Sequence, residues 1–520
     1  MNIIVPKQAK KQIEQIGLGF LSKFISIDSV SDSQSQTHPS TSQQTHMAQA
    51  LVATYQELGI KAEILYGSVL AKIDGKGLGQ AAKPIVLSTH LDTAKGTKPI
   101  TRLNILKDWD GLQNVPYTHN KTFECNVKNF PSLKNFVHQD IVFGNGLHPF
   151  GLDDKLGLAE SFTLAYLLTH NRDNPKLSHP TIFFLHRPDE EINSQKFVPE
   201  IASYLRNQGV EYGFTIDGMY PFEINTESLN AGMLSISCPK KPKKKLLKGY
   251  VLNVSIQGIV SHTFNAHEEQ LTPALVFLCQ ALNQAKLNKA SFLELVPYGL
   301  KDLSYHLKIF FENMSDMNIF TQALNETILP YQKYGAGLSY SSQSINQVNM
   351  VDEGINSLLL WMCELLPKIR LSRNSIGYQG FVNPIKIDTT KPNINQLCLQ
   401  IGSFDRVDLV RQVMTLVRFT LKHHFSFSYK PLFDNIQPYL QRCPKLITIP
   451  QQSAISLGFS PELMPMRYSN GTDVFLENGL ILGNLGTGYF GAECPKEIAS
   501  IQMLANHSYW LFDICQRLSV

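Results

Sequence analysis

Three short apolar runs, accompanied by segments with helical spacing, constrain the fold more than any other feature of this sequence. The runs are Pro84–His90, Thr181–Leu185 and Tyr212–Asp217, and the first is rich in β-branched residues and ends in a histidine. Compact runs of this kind are typical of strands that are buried on both faces. Helical spacing of apolar residues spans Gln44–Gly59 and Asp154–His170. This alternation of strands and helices predicts an α/β fold built on a doubly wound sheet.

The composition fits a packed protein with more than one domain. The chain has 520 residues, of which 43% are hydrophobic and 17% charged, and it carries a net charge of +4. A chain of this length exceeds what a single core usually organises, and its charge has no dense basic face for nucleic acid. The eight cysteines are scattered without a C-x-x-C pair, and no signal peptide or membrane-spanning run is present. We therefore expect a cytoplasmic protein without a nucleic-acid or membrane partner.

The middle of the chain differs in character from both ends and opens with the lysine-rich stretch 240–245. We predict an inserted α+β lid domain at residues 225–429. Residues 1–224 and 430–520 would then form one α/β domain, because the last hundred residues return to short strands and glycine turns. Within the lid, Leu307–Leu324 and Leu397–Leu416 each resemble a strand followed by a helix, which suggests two copies of one unit.

Four acidic clusters carry the potential chemistry, and three of them follow predicted strands. They are His90-Leu91-Asp92, Asp153-Asp154-Lys155, Asp189-Glu190-Glu191 and Asp217-Gly218. Ligands bind at the carboxyl ends of strands in open α/β sheets, which is where the first, third and fourth clusters lie. Imidazole and carboxylate donors without thiols favour an open, catalytic metal site. Each cluster taken alone is also common on a solvated surface.

The order of the clusters and their flanking residues resemble the M20 metallopeptidases. His90-Leu91-Asp92-Thr93 is similar to H-x-D-T, the segment 151–157 (GLDDKLG) to G-A-D-D-K-A-G, and Pro188-Asp189-Glu190-Glu191 to the end of T-P-D-E-E. Within the family, Thr215-Ile216-Asp217-Gly218 and Pro39-Ser40-Thr41-Ser42 are similar to T-V-D-G and P-S-T-E of the peptidase T branch. The resemblance implies a zinc-peptidase-like mixed sheet flanked by helices, with an inserted lid.

The resemblance also implies a dinuclear metal site. His90 and Asp217 would bind one divalent metal ion, Glu191 would bind the other, and Asp153 would bridge them. Zinc is favoured, with manganese or cobalt as alternatives. Continuing the family register through Asn484-Leu485-Gly486-Thr487-Gly488, which is similar to N-I-F-T-G, places Glu493 where the family has its last metal-binding histidine.

Three further residues would act in catalysis according to the same pattern. Glu190 would be the general base for a hydroxide shared by the two metal ions, and Asp92 would orient His90 from behind. In the lid, His262 lies at the end of a segment similar to the family's glycine-to-histidine stretch and would stabilise the oxyanion.

Substrate binding is where the sequence departs most from the pattern. Ile401-Gly402-Ser403-Phe404-Asp405-Arg406 is similar to I-R-D-F-D-R, but Gly402 replaces the arginine expected to hold a peptide carboxylate. Lys308 or Arg467 would have to substitute for it, and the sequence does not choose between them. Asn470, in a segment similar to G-G-T-D, completes the predicted substrate-binding residues.

The resemblance implies a peptidase, and two other functions stay open. The expected reaction is aminopeptidase cleavage of short peptides such as tripeptides, in a protein that relatives outside this branch suggest to be a homodimer. The missing arginine leaves open hydrolysis of N-acyl amino acids or small amides at the same site. Glu493 and the long lid leave open a non-catalytic descendant that uses the fold for binding.

Overall fold

The structure, a computed structural model, describes residues 5–120, 123–243, 248–259, 273–286, 291–298, 304–346, 351–371, 380–467 and 471–519. It divides into two compact units. The first comprises Met1–Asn120, Cys125–Ser228 and Asn435–Val520, and the second comprises Leu229–Asp434 with Lys121–Glu124. Apart from the short segment Lys121–Glu124, the chain leaves the first unit after Ser228 and returns to it at Asn435.

The first unit begins with eight strands and four helices among the described residues. The strands are β1 (Ala62–Leu65), β2 (Ser68–Ile73), β3 (Ile85–His90), β4 (Asn104–Leu106), β5 (Ile141–Phe143), β6 (Ile182–Arg187), β7 (Tyr212–Gly218) and β8 (Glu223–Ser228). The helices are α1 (Lys10–Ile25), α2 (Ser42–Glu57), α3 (Leu152–His170) and α4 (Val198–Asn207). The three predicted strands and the two predicted helices are therefore all present, with ends displaced by a few residues.

The second unit follows in the chain. Its strands are β9 (Asn230–Pro239), β10 (Pro242–Lys243), β11 (Gly249–Gln257), β12 (Ser291–Tyr298), β13 (Ser304–Phe311), β14 (Gly337–Ile345), β15 (Val351–Asp352), β16 (Phe381–Asp388), β17 (Ile394–Ser403) and β18 (Ser426–Phe433). Its helices are α5 (Ala274–Ala285), α6 (Met314–Ile328), α7 (Glu353–Leu365) and α8 (Arg406–Lys422).

The remaining elements complete the first unit. Its last strands are β19 (Glu462–Met466), β20 (Ile481–Gly486), β21 (Tyr489–Phe490) and β22 (Ile498–Ser500). Its last helices are α9 (Gln437–Leu440), α10 (Lys445–Ser456), α11 (Thr472–Glu477) and α12 (Ile501–Arg517).

The central sheet of the first unit is mixed and has the order β1-β2-β6-β3-β7-β20-β8-β19. β3 pairs in parallel with β6 and β7, and β7 pairs in parallel with β20, while β1, β2 and β6 are joined antiparallel. This large mixed sheet flanked by helices confirms the predicted fold class. Because β3, β6 and β7 run in one direction, their carboxyl ends lie along the same edge of the sheet.

Burial on both faces explains the unbroken apolar run of β3, whose six side chains are all buried. Ile85 and Leu87 contact one core, shared with α1, α2, α3 and α12. Val86, between them, contacts a second core formed with α4 and α11. Successive side chains of a strand point to opposite faces, so a strand between two helical layers needs apolar residues at every position.

The second unit contains two copies of one topology, and one copy is inserted into the other. The inner copy runs β11-α5-β12-β13-α6-β14, and its sheet has the order β12-β13-β11-β14. The outer copy runs β9-α7-β16-β17-α8-β18 with the order β16-β17-β9-β18, and the inner copy lies between β9 and α7. The two segments suspected of repetition, Leu307–Leu324 and Leu397–Leu416, occupy equivalent places, the third strand and second helix of each copy.

Among the described residues, none of the helices has the length and the apolar character that a membrane span needs.

Candidate metal centre

The centre is organised around His90, the last residue of β3. Its Nε2 lies 2.9 Å from Asp153 Oδ1 and 3.6 Å from Asp217 Oδ1. Its Nδ1 lies 3.0 Å from the backbone oxygen of Asp92, so a proton on Nδ1 is donated there and the Nε2 lone pair is directed at the carboxylates. Donors that share a zinc ion at about 2.0–2.2 Å come within roughly 3–3.5 Å of one another. The spacing around Nε2 is therefore of the kind that a shared metal ion requires.

Two groups of donor atoms occur in this region, and within each group the atoms lie within 4.8 Å of one another. One contains His90, Asp154 and Asp217, and the other contains His90, Asp153 and Glu191. The structure thus brings together all four residues predicted as ligands from the strand ends and the start of α3. It adds Asp154, which had no predicted role. The Asp154 carboxylate also accepts hydrogen bonds from the backbone N–H groups of His90 and Gly157, both at 3.2 Å.

Burial and mutual repulsion make this cluster electrostatically unfavourable without a cation. Burial and the neighbouring Asp153 carboxylate together raise the pKa of Asp217 to about 7 against the opposing effect of His90. Burial and the Asp217 charge likewise raise the pKa of Asp154 well above its usual range. Burial alone would lower the pKa of His90, but the charge of Asp217 and the bond to Asp153 raise it well above its usual value. Divalent cations would replace those protons, which is how buried carboxylates are normally compensated.

A short turn after β6 carries Glu190 and Glu191, and Asp92 holds it from across the site. The Asp92 carboxylate accepts hydrogen bonds from the backbone N–H of Glu190 at 3.0 Å and of Glu191 at 3.1 Å. Asp92 is completely buried. Burial raises the pKa of the Glu190 carboxyl to about 7, although the charge of His90 opposes the rise. A carboxyl group with a pKa near neutrality is suited to accept and return a proton.

Asp189 fixes the start of the same turn with a backbone φ of 59°. This left-handed conformation is unfavourable for a residue other than glycine and needs support from its surroundings. The Asp189 carboxylate accepts hydrogen bonds from Ser40 N at 3.0 Å and from Gln44 Nε2 at 2.7 Å, and it lies 2.9 Å from His38 Nδ1. Burial alone would raise the pKa of Asp189, but these partners lower it. The segment similar to P-S-T-E therefore anchors the turn that bears Glu190.

Glu497 supports the loop that precedes Asp153. Its Oε2 accepts hydrogen bonds from the backbone N–H of Phe150 at 2.7 Å and of Gly151 at 2.9 Å. Gly151 has φ of 91°, and a Cβ there would come within 2.8 Å of Thr93, so glycine is required at this position. Burial raises the pKa of Glu497 to about 8. Nothing in the sequence signalled this contact.

The other predicted residues fall in different places. Glu493 is 3% exposed with φ of 51° and is absent from both donor groups among the described residues, so its role as a ligand stays a prediction. Arg467 is buried just after β19, and burial lowers its pKa to about 10. Lys308 lies on β13 in the second unit and lines a polar groove there with Glu294 and His306. Two predicted residues lie outside the described part of the chain, namely His262 and Asn470.

The structure explains why Gly402 is not an arginine. Gly402 lies on β17 opposite Phe381 of β16. A Cβ at this position would come within 2.7 Å of Phe381 Cε1 and 3.1 Å of Leu229 Cδ1. Phe381 and Leu229 are completely buried, so a larger side chain would have to displace them. An arginine side chain at this position would therefore point into the core of the second unit, where Phe381 and Leu229 already fill the space.

Comparisons with known proteins agree with the motifs. No family model matches the chain. Peptidase T of Enterococcus faecalis is 30% identical over 248 residues, which cover 46% of this chain and 58% of that protein. Peptidase T of Limosilactobacillus fermentum is 29% identical over 228 residues, which cover 43% of this chain and 53% of that protein. The chain therefore matches little more than half the length of these relatives.

Solved structures with the same fold match over almost the whole chain. A tripeptidase from Staphylococcus aureus superposes with a TM-score of 0.53 and 12% identity, covering 97% of this chain and 98% of that one. Aminoacylhistidine dipeptidase from Vibrio alginolyticus gives a TM-score of 0.51 and 12% identity with the same coverage. The solved structures show the fold alone, and the M20 peptidase class is supported by that fold together with the sequence similarity to peptidase T. Within that class, the sequence similarity supports a protein close to peptidase T.

Proposed function

We propose that this protein is a metal-dependent peptidase that removes amino-terminal residues from short peptides. The observation that carries the proposal is the convergence of His90, Asp153, Glu191 and Asp217 at one edge of the sheet, beside the glutamate held by Asp92. A protein that bound peptides without cleaving them would have no need to bury so many carboxylates together. The similarity to peptidase T over part of the chain supports the choice of short peptides.

The donor set fits divalent metal ions. Imidazole and carboxylate oxygens suit zinc and manganese, and thiols are absent from both donor groups. In this proposal His90 with Asp217 would hold one ion, Glu191 would hold the other, and Asp153 would be shared by both. Glu493 is proposed as a further ligand. When bound, such ions polarise the scissile carbonyl and lower the pKa of water, which makes water a nucleophile at neutral pH.

Glu190 handles the protons in the proposed reaction. Its backbone is fixed by Asp92, and burial raises the pKa of its carboxyl to about 7, which suits a group that takes up and returns a proton near neutral pH. Glu190 takes a proton from the attacking water and later delivers it to the nitrogen of the broken peptide bond. Asp92 and Asp189 keep the base in place, because both bind the turn that carries it.

Hydrolysis of N-acyl amino acids or small amides is a second candidate, and one observation favours the small amides, which carry no free carboxylate. The arginine expected to hold a peptide carboxylate is replaced by Gly402, whose surroundings are filled by Phe381 and Leu229. A site without that guanidinium loses a bidentate partner for a free carboxylate. The same metal centre and the same base would then act on a different amide.

A substrate panel separates the two candidates. Protein loaded with zinc, manganese or cobalt is incubated with free tripeptides and, in parallel, with N-acetyl amino acids and N-acetyl amino acid amides, and the appearance of a new free amine is measured. We expect turnover of the tripeptides that stops when a chelator removes the metal. Turnover of the acetylated compounds alone would replace the peptidase by the amide hydrolase. Stoichiometric metal without turnover of either would contradict both, and a protein that binds no divalent metal would favour a binding role.

A further inference from the structure

Arg187 is placed at the metal centre by the sheet itself. It is the last residue of β6, and in the parallel pairing of β3 with β6 it lies directly opposite His90. It also precedes Pro188-Asp189-Glu190-Glu191, at the position where the similar motif T-P-D-E-E has threonine. An uncharged residue of the motif has thus become a cation beside the acidic cluster.

The Arg187 side chain is confined on two sides. It is 5% exposed, and its guanidinium carbon lies over the Phe475 ring, 5.2 Å from the ring centre. On another side is Gly471, where a Cβ would come within 2.8 Å of Arg187 Nη1. Stacking on an aromatic ring fixes the plane of the guanidinium while leaving its edge of N–H donors available. Glycine at 471 is what gives the guanidinium its space.

No carboxylate of the described residues lies within ion-pair distance of this guanidinium, and no acceptor among them receives its N–H groups. Its charge is nevertheless felt at Glu190, whose pKa it lowers. Burying a cation without a partner is costly unless an anion binds it during function. The cation lies beside the proposed base, so the anion belongs to a molecule that enters the same site.

We infer that Arg187 binds the free carboxylate of a short peptide substrate. The planar fork of a guanidinium matches a carboxylate through two parallel hydrogen bonds. The position at which an arginine was expected, Gly402, has its space filled by Phe381. The inference rests on the proposed function, because it takes the anion from the peptide that this function assigns to the site.

The test compares a tripeptide with a free carboxylate and the same tripeptide as its carboxyl-terminal amide. Steady-state kinetics are measured on metal-loaded wild type, Arg187→Gln and Arg187→Lys. We expect Arg187→Gln to lower kcat/KM for the acid on the order of 100-fold, mainly through KM, and to change that for the amide less than about threefold. Arg187→Lys keeps the charge without the fork and should fall between them.

Two controls keep the result interpretable. Arg206→Gln removes an exposed arginine of α4 in the same unit and should change neither substrate. Gly471→Ala leaves Arg187 in the sequence but crowds its guanidinium, and should reproduce the selective loss on the acid. Thermal unfolding of each variant identifies any that fail to fold.

A binding measurement separates this inference from the proposed function. Isothermal titration of both peptides into metal-loaded Glu190→Gln protein, in which cleavage should be slow, should show the acid binding more tightly than the amide, and adding Arg187→Gln should remove that difference. Equal loss of kcat/KM on acid and amide, or an unchanged preference for the acid, would overturn the carboxylate subsite while leaving the peptidase standing. Wild type that cleaves neither peptide yet prefers the acid through Arg187 would contradict only the proposed function.

Discussion

The carboxylate of Asp92 accepts a hydrogen bond from the backbone N–H of Glu190 at 3.0 Å, so the third residue of one strand-end cluster positions the proposed base of another. The sequence predicted a different role, in which Asp92 orients His90. In the structure the nearest part of Asp92 to the imidazole is its backbone oxygen at 3.0 Å, whereas its carboxylate lies 3.5 Å away. Asp92 therefore contacts His90 through its backbone oxygen and the turn that carries Glu190 through its carboxylate.

Replacing Asp92 tests this connection. Asp92→Asn turns one acceptor oxygen into a donor that faces the N–H of Glu190 or Glu191, so the turn should shift. We expect kcat for a tripeptide to fall about 10- to 100-fold while two metal ions stay bound, because the backbone oxygen still holds His90. Activity and metal content are measured on the same preparation. Asp74→Asn, at a side chain that is 83% exposed, is the matched control and should match wild type. Loss of metal together with activity would mean that Asp92 acts mainly on His90.

Glu497 provides a stability prediction with two variants. Its pKa of about 8 makes it a neutral acid at pH 7, so Glu497→Gln keeps an acceptor oxygen of similar shape. That variant should lie within about 1 kcal/mol of wild type in free energy of unfolding. Glu497→Ala leaves the N–H groups of Phe150 and Gly151 buried without an acceptor and should lose about 2–5 kcal/mol. Urea denaturation at pH 7 measures both, and an equal loss in the two variants would show that the charge matters rather than the hydrogen bonds.

His186 predicts a pH dependence of stability. It is completely buried between Tyr55 and Thr89, and burial lowers its pKa to about 3. In the unfolded chain the histidine pKa is about 6.5, so between pH 6.5 and 3 the unfolded chain binds a proton at His186 that the folded protein does not bind. The contribution of His186 is therefore present above pH 6.5 and is lost as the pH falls towards 3, by about 1.4 kcal/mol per pH unit.

The corresponding measurement is the slope of unfolding free energy between pH 4 and 6. His186→Gln should reduce that slope by roughly 1.4 kcal/mol per pH unit, since it removes one titrating group. His170→Gln, at an exposed histidine near the end of α3, should leave it as in wild type. An unchanged slope in His186→Gln would show that His186 accepts a proton in the folded state.

Glu493 can be tested directly as a metal ligand. Glu493→Gln replaces a charged oxygen donor by a neutral amide, which binds divalent ions less strongly. We expect the bound metal to fall from two ions to one per chain at limiting metal concentration. Elemental analysis after gel filtration measures it, and Glu477→Gln on α11, an exposed position, serves as the control. Retention of two ions by Glu493→Gln would remove Glu493 from the ligand set.

Local patterns predicted the strand ends of the site well. The apolar runs that end at His90 and Asp217 are unbroken because both faces of their strands are covered. Parallel strands then bring those residues to the same edge without any further information. The motif that opens α3 supplies Asp153 beside His90, although the strand before it, β5, belongs to a separate sheet.

Contacts between distant segments could not be predicted in the same way. Asp189 binds Ser40 across 149 residues, and Glu497 binds Gly151 across 346 residues. Neither contact leaves a spacing in the sequence, because each depends on how separate elements pack. A local signal was available for Arg187, whose charge departs from the motif, but its stacking on Phe475 appears only in three dimensions.

The most direct test of the account is Glu190→Gln. The substitution keeps the size of the side chain and its backbone hydrogen bond to Asp92 but removes the group that accepts the proton. Turnover of a free tripeptide by metal-loaded protein should fall at least about 100-fold, with two metal ions still bound and the thermal stability unchanged. Turnover at the wild-type rate in a variant that retains its metal would contradict the assignment of Glu190 as the base and, with it, the proposed mechanism.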